Sequence, residues 1–138
     1  MSEPKTFLRG FAAIAMAIIM PMLATPALAI GPDLHVDVAP SAVPQEVQLV
    51  EHDLRKGQSS GWHIHHGVEL TYVQQGRLQL NVAGQAPMNL RAGDSFEIAR
   101  DRPHEVRNVG SGRAILIISY LMDKGVPGMI PVPAPAAR

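Results

Sequence analysis

The sequence predicts an all-β protein built around a single small barrel or sandwich domain. Residues 47–124 contain many short stretches of alternating apolar and polar residues, separated at regular intervals by Gly and Pro. Such spacing is typical of strands joined by tight turns in a closed or two-layered β structure. A sustained helical period is found nowhere outside the N-terminal 29 residues. The chain has 138 residues, which is enough for one domain of this kind and not for two.

The first 29 residues have the composition of a secretory signal peptide. Lys5 and Arg9 form a basic start, an uncharged apolar core follows, and the segment ends in Ala27-Leu28-Ala29. The core spans about 13 residues, whereas a membrane-spanning helix needs about 20. The sequence therefore predicts cleavage after Ala29, a periplasmic or secreted location, and no stable membrane insertion after cleavage. An uncleaved membrane anchor is the alternative.

Charge and cysteine content exclude several classes of function. The chain carries 12 basic and 12 acidic side chains, and cleavage removes two of the former and one of the latter. A domain so close to neutrality has no basic field with which to bind nucleic acid or an anionic membrane. The chain has no cysteine, which excludes disulfides, iron–sulfur ligation and cysteine nucleophiles.

The N-terminal half of the mature chain divides into an arm and the first strands. Residues 30–46 contain scattered prolines and predict an extended arm. Residues 47–124 form the predicted barrel domain, which begins with a strand at residues 47–54. A Gly-rich turn follows and leads into a long β-rich stretch over residues 62–75.

The second half continues the same pattern. The inward-facing residues predicted from strand alternation are Leu78, Leu80 and Val82 in one strand and His104, Val106 and Asn108 in another. Residues 115–118 are apolar on both faces, which predicts burial on both sides by a second layer or another subunit. Residues 125–138 are proline-rich and form either an extended strap or a loose tail.

Histidines and a glutamate within the long β-rich stretch have the spacing of metal ligands. His63 and His65 lie on one face of a strand, about 6.7 Å apart, so both imidazoles can converge on one ion. Glu69 has the same parity but would lie about 13 Å from His65 along a straight strand. The chain must therefore bend between them, and His66-Gly67 is the predicted place because Gly accepts the dihedrals of a bulge. His104, downstream in a similar setting, completes a set of three histidines and one carboxylate.

This stretch resembles the first motif of the cupin superfamily at every position. The motif reads Gly, five residues, His-x-His, three residues, Glu, six residues, Gly. The matching positions are Gly57, His63, His65, Glu69 and Gly76. The second cupin motif is matched at Gly93, His104 and Asn108, whereas Ala99 and Asp101 stand where Pro and Gly are usual. Those two positions shape the turn before His104.

The resemblance covers residues 45–122 and implies a small jelly-roll barrel. It also implies that His63, His65, Glu69 and His104 bind a divalent metal inside the barrel. Such a ligand set suits Fe, Mn, Ni, Co, Cu or Zn. With four protein ligands, an octahedral ion keeps two open positions for O₂, water or a chelating substrate, and a tetrahedral zinc keeps none. Acid should release the ion, because binding needs neutral histidines.

The remaining polar and aromatic residues are assigned mainly structural roles. His35 and His52 have no partner at motif spacing, and His66 has the wrong parity, so none of the three is a predicted ligand. Strand parity places Thr71 and Val73 inside the barrel and Trp62 and Tyr72 outside it. We expect Tyr72 to be packed between layers, Asn108 to hold a turn, and residues 100–102 to form a solvated loop, with an anion-attracting rim as the alternative.

Three functions are compatible with this interpretation. The first is a metal-dependent enzyme acting on a small organic molecule by oxygenase-type or lyase-type chemistry, although the sequence designates no catalytic acid or base. The second is a non-catalytic periplasmic protein that binds a small molecule or a metal ion. The third is a barrel that the metal merely stiffens. The resemblance also favours a homodimer, since small single-domain cupins often pair.

Overall fold

A computed structural model describes residues 34–136 and shows nine β-strands arranged in two facing antiparallel sheets. The strands are β1 (Gln45–Leu54), β2 (His63–Ile64), β3 (Gly67–Gln75), β4 (Arg77–Val82), β5 (Met88–Arg91), β6 (Ser95–Ile98), β7 (His104–Asn108), β8 (Ala114–Asp123) and β9 (Ile130–Pro131). One sheet has the order β1-β8-β3-β6 and the other the order β5-β4-β7-β2-β9. The predicted all-β jelly roll is confirmed. The described residues include no helix long and apolar enough to cross a membrane.

The hydrophobic core lies between the two sheets. The alternation predicted for β4 is confirmed, since its three apolar residues are 0–6% exposed. Residues of β8 with even numbers face the same core, and β8 is central to its sheet because it pairs with both β1 and β3. Thr71 and Val73 are buried as predicted. The barrel interior is therefore apolar except where the functional side chains enter it.

The outer face of the β1-β8-β3-β6 sheet is only partly buried within a single chain. Residues 115–118 are predicted to be buried on both sides by a second layer or another subunit. Ile115 and Ile117 are half-buried in one chain, and burial by another subunit stays a prediction. Tyr72 was expected between layers and is 41% exposed. The arm before β1 covers part of this face, since Leu34 lines a cavity with Tyr72 and Ile117, and residues 35–42 line another with Val68 and Leu121. The apolar run thus has one buried face and one partly covered face.

The chain breaks its strand geometry at the predicted place, between His65 and Gly67. β2 ends at Ile64 and β3 begins at Gly67 in the other sheet. The reason for the glycine differs from the one predicted, because Gly67 does not have a positive φ. A Cβ atom there would lie 2.2 Å from the carbonyl oxygen of Leu121 and 2.6 Å from Cα of Met122. Gly67 is needed because β8 passes too close for any side chain.

The proline-rich C-terminal segment contributes a short strand at the edge of the second sheet, beside β2. Within it, β9 pairs antiparallel with β2, matching Ile130 with Ile64. The amide of Val132 donates a hydrogen bond of 3.0 Å to the carbonyl of Trp62. We refer to residues 125–132 as the strap. The strap lies along the strand that carries His63, which brings it to the functional site.

Candidate metal centre

Four side chains from both sheets converge inside the barrel. His63 and His104 are register partners on the neighbouring strands β2 and β7. Glu69 approaches from β3 in the opposite sheet, and His65 lies in the link between the two sheets. Their potential ligand atoms all lie within 4.8 Å of one another, and each residue is at most 3% exposed. The break at His65–His66 is what allows one short stretch of chain to contribute from both sides.

Backbone carbonyl groups fix the orientation of all three imidazoles. His63 Nδ1 lies 2.7 Å from the Gly61 oxygen, His104 Nδ1 lies 2.9 Å from the Arg102 oxygen, and His65 Nδ1 bonds the Gly128 oxygen. A carbonyl oxygen can only accept, so each Nδ1 must carry the proton and donate it. Each Nε2 therefore presents a lone pair to the centre in the neutral ring.

The imidazole nitrogens and the Glu69 Oε2 atom that face one another are consequently all acceptors. Nε2 of His65 lies 3.0 Å from Glu69 Oε2, and Nε2 of His104 lies 3.3 Å from the same oxygen. Both nitrogens are buried and have no hydrogen-bond partner among the described residues. Acceptor atoms this close repel one another unless a cation, either a proton or a metal ion, lies between them. Nitrogen and carboxylate donors of this kind fit a divalent transition metal.

The carboxylate of Glu69 is held in its ionised form. Burial raises the pKa of Glu69. The His104 and His65 imidazoles, once a proton is shared between Nε2 and the carboxylate, and the hydrogen bond from Thr71 outweigh burial and lower the pKa to about 2. The Thr71 hydroxyl donates to Glu69 Oε1 at 2.6 Å. Thr71 thus occupies one oxygen and leaves Oε2 facing the histidines.

Burial also keeps His63 neutral. It lowers the pKa of His63 from 6.5 to about 4, against a smaller opposing effect of the hydrogen bond to Gly61. Beyond the histidines, the ring of Tyr120 packs 4.8 Å from the ring of His65, and burial raises the pKa of its hydroxyl. At neutral pH, the site therefore combines a neutral His63, an ionised Glu69 and a protonated Tyr120.

The turn before His104 accommodates its unusual residues. Asp101 has φ of 59°, and it is the one non-glycine residue with a positive φ in the part of the chain that the structure describes. Its sequence position is the one at which cupins usually have Gly, and Asp tolerates this left-handed conformation better than most residues. The Asp101 amide donates to the carbonyl of His65 at 2.9 Å, and its carboxylate contacts His66 Nδ1 at 2.6 Å.

These contacts decide the roles of several flanking residues. His66 points away from the centre toward Asp101, and Arg100 pairs with Asp123 through a 2.8 Å hydrogen bond. The charged turn is therefore partly ion-paired rather than freely solvated. Asn108 has the structural role expected of it, since its amide donates to the carbonyls of Leu54 and Gly112.

A small cavity lies beside the four converging side chains. Its volume is about 10 Å³, which is room for about one water molecule. Besides site residues, its lining includes His52, Tyr120 and Met129. His52 was set aside for lack of motif spacing; its even-numbered position in β1, matching buried Leu54, was the signal that it faces inward. Met129 comes from the strap, which no motif would have assigned to the site.

Comparison with known proteins identifies the family. The model of the Cupin domain family matches residues 50–120, which is just over half of the chain, and the chain belongs to this family. No curated protein sequence matches the chain. The resemblance inferred from the two motifs is thus confirmed.

Solved structures give the same fold. An oxalate oxidase is 28% identical with a TM-score of 0.57, over 62% of this chain and 46% of that one. An RmlC-like cupin from Shewanella frigidimarina is also 28% identical with a TM-score of 0.52, over 58% of this chain and 69% of that one. The DMSP lyase DddQ from Ruegeria pomeroyi is 16% identical with a TM-score of 0.57, over 62% and 42% of the two chains, and shows the fold alone. The chain spans about half the length of the oxalate oxidase that it matches.

Proposed function

We propose that this protein is an exported, metal-dependent enzyme that acts on a small organic acid. The observation that carries the proposal is a convergent set of three Nε2 lone pairs and one carboxylate. Backbone carbonyls orient the three imidazoles, Thr71 holds the carboxylate, and Nε2 of His65 and His104 have no hydrogen-bond partner among the described residues. His63, His65, Glu69 and His104 would hold one divalent ion of Fe, Mn, Ni, Co, Cu or Zn. When bound, such an ion acts as a Lewis acid that orients and polarises the oxygen atoms of a chelating substrate.

The chain's own residues prepare the site for this chemistry. The outward Nδ1 bonds hold the imidazoles in the ligating tautomer, and second bonds of this kind commonly strengthen metal affinity. Thr71 restrains Glu69, so the carboxylate presents one free oxygen. His52 and Tyr120 line the adjoining cavity and are the non-ligand side chains best placed to contact a bound molecule. The apolar walls exclude water, which strengthens electrostatic interactions inside.

The substrate class is supported by similar structures. Oxalate oxidase has been solved with bound glycolate, in a chain 27% identical to this one with a TM-score of 0.55, over 62% of this chain and 45% of that one. Glycolate and oxalate are small acids whose adjacent oxygens suit chelation of a metal. We therefore propose a two- or three-carbon hydroxy acid or dicarboxylate, with oxidation first and lyase-type cleavage second among the reactions.

A non-catalytic role in small-molecule or metal-ion binding is the second candidate. The size of the cavity, which holds about one water molecule in this structure, favours the metal-ion form of this role. Slow or absent turnover combined with tight acid binding would support this candidate. It shares the metal centre with the first, so the two differ only in whether the bound molecule is converted to a product.

Export and dimerisation are proposed on separate grounds. The signal-like N-terminal segment lies outside the described residues, and export rests on its sequence alone. Sequencing the N-terminus of protein recovered outside the cytoplasm should find Ile30 first. A homodimer is supported by the open apolar face, on which Val47 is 68% and Leu49 is 73% exposed. Replacing Leu49 with Lys should then lower the mass measured by analytical ultracentrifugation.

Metal content measured by elemental mass spectrometry tests the proposal directly. We expect one transition metal ion per full-length chain, with loss of the ion in His104→Ala and Glu69→Gln. His35→Ala is the matched control, because His35 is exposed and lies outside the cluster. Loaded protein is then assayed with glycolate and oxalate for substrate loss. Wild-type protein that stays metal-free after reconstitution would refute the metal centre and the enzyme together.

A further inference from the structure

The strap completes the metal centre from a distant part of the sequence. Gly128 supplies the carbonyl that accepts the proton of His65 Nδ1, across 63 residues of chain. Met129, the next residue, lines the cavity that also contains His63, Glu69 and His104. One short segment therefore both orients a metal ligand and closes the space beside it.

The strap is held more weakly than the strand beside which it lies. β9 has two residues and pairs only with β2, at the edge of the sheet. One of these residues is Pro131, which has no amide hydrogen to donate. Residues 125–136 carry no charged side chain, so no ion pair fixes them. Segments with few buried contacts and few hydrogen bonds open at low free-energy cost.

The strap also begins at a position suited to rotation. Gly125 has φ of 83°, and a Cβ atom there would meet nothing within 4 Å. The backbone at the first residue of the strap is therefore free of obstruction on the side where a Cβ would lie. A change of dihedral angles at a few terminal residues is what a hinge requires.

The closed site is too small for the substrate class proposed above. A cavity of about 10 Å³ holds about one water molecule, whereas glycolate has five non-hydrogen atoms. We propose that the strap opens and closes over the metal centre, and that Met129 determines the size of the molecules that reach it while the strap is closed. This inference rests on the proposed function, because it concerns access to that same centre.

Opening has a defined consequence for the ligand set. Lifting the strap removes the Gly128 carbonyl and frees His65 Nδ1, whereas His63 and His104 keep their own carbonyl partners. Access and the orientation of one ligand are thereby coupled. Water-sized molecules exchange in the closed state, and small organic acids enter in the open state.

Stopped-flow binding to the cobalt-loaded full chain tests access. Binding of glycolate is followed by the visible absorption of the cobalt ion. Exchange of fluoride, an ion no larger than water, is followed by ¹⁹F relaxation. In the wild type, the glycolate rate should reach a plateau set by strap opening, while fluoride exchange stays fast. In Met129→Ala and in a chain lacking residues 126–138, the plateau should disappear. The glycolate binding rate should rise about tenfold or more above that of the wild type, since minor open states are commonly populated at about 0.1–10%.

Met88→Ala is the matched control, because Met88 is 39% exposed, compared with 36% for Met129, and lies on β5 outside the cavity. It should bind glycolate as the wild type does. A wild-type rate that increases linearly with glycolate concentration and equals that of Met129→Ala would overturn the proposal.

A metal-free measurement separates this inference from the proposed function. Trp62 is the chain's only tryptophan, and its carbonyl accepts the strap bond from Val132. Acrylamide quenching of its fluorescence should increase when residues 126–138 are deleted and stay unchanged in Met88→Ala. If cobalt does not bind but quenching responds in this way, the strap's cover of this region stands and the metal centre fails. Unchanged quenching in the deletion variant would refute the strap's cover of this region.

Discussion

Two of the three histidines at the metal centre are oriented by their own strand segments, whereas the third is oriented by the strap. His63 and His104 each donate to the carbonyl two residues earlier, and they are paired across β2 and β7. His65 donates to Gly128, 63 residues away. Local support survives as long as the strand exists, and remote support survives only while two segments stay together. His63 and His104 therefore form a rigid half of the centre, and His65 forms a conditional half that depends on the strap.

Replacing Gly67, the first residue of β3, with Ala should have the largest effect on the centre. The new Cβ would lie 2.2 Å from the Leu121 oxygen, so β3 must move away from β8 and take Glu69 with it. We expect a loss of about 3 kcal/mol in the free energy of unfolding, together with loss of the metal. Chemical denaturation measures the first and elemental analysis the second. Gly112→Ala is the control, since a Cβ there meets nothing within 4 Å, and equal destabilisation by both variants would contradict the close-approach argument.

Deleting residues 126–138 should weaken the conditional half alone. His65 loses its carbonyl partner while His63 and His104 keep theirs. Removal of such a supporting bond lowers metal affinity by about 10–100-fold, which competition with a chelator measures. The free energy of unfolding of the metal-free protein should change far less than in Gly67→Ala. Wild-type affinity in the deletion variant would show that the Gly128 bond does not support the ligand.

The same contrast explains what the sequence could and could not predict. His63, His65 and Glu69 lie within seven residues, so strand parity and motif spacing identified them. The need for a break before Glu69 followed from strand length alone. The strap was left open between two alternatives because nothing local indicates that Gly128 meets His65. Proline content shows only that a segment is extended, and which surface it covers depends on the tertiary fold.

What covers the outer sheet face could not be predicted from the sequence for a related reason. Periodicity showed that residues 115–118 are apolar on both sides, and burial on both sides was the natural expectation. Whether a layer exists on the second side is a property of the whole fold or of an assembly. Tyr72 was misplaced by the same assumption. Asn108, in contrast, was assigned correctly because two of its side-chain contacts, with Gly110 and Gly112, lie within its own turn.

His63, in the rigid half, should make the free energy of unfolding of the metal-free protein fall in mild acid. The pKa of His63 is about 4 in the folded chain, below its ordinary 6.5. As pH falls from 6.5, the unfolded chain takes up this proton first, so the free energy of unfolding declines until about pH 4. Urea titrations in the presence of a chelator at several pH values would measure the decline. In His63→Gln, the slope across this window should be smaller, and an identical slope would show that His63 does not titrate as described.

The smallest effect is expected at Asp101, which ties the turn before His104 to the His65 carbonyl. Asp101→Gly relieves the left-handed backbone at φ of 59° but loses the contact with His66. That contact joins side chains that are 39% and 48% exposed, and such pairs contribute at most about 1 kcal/mol. The two effects should nearly cancel in the free energy of unfolding. Asp101→Ala loses the same contact and keeps the strained dihedral, so it should be about 1 kcal/mol less stable than Asp101→Gly. Thermal unfolding of the pair measures this difference, and its absence would mean that the turn changes conformation freely. Metal affinity should be retained in both variants, because the bond from the Asp101 amide to His65 does not depend on the side chain.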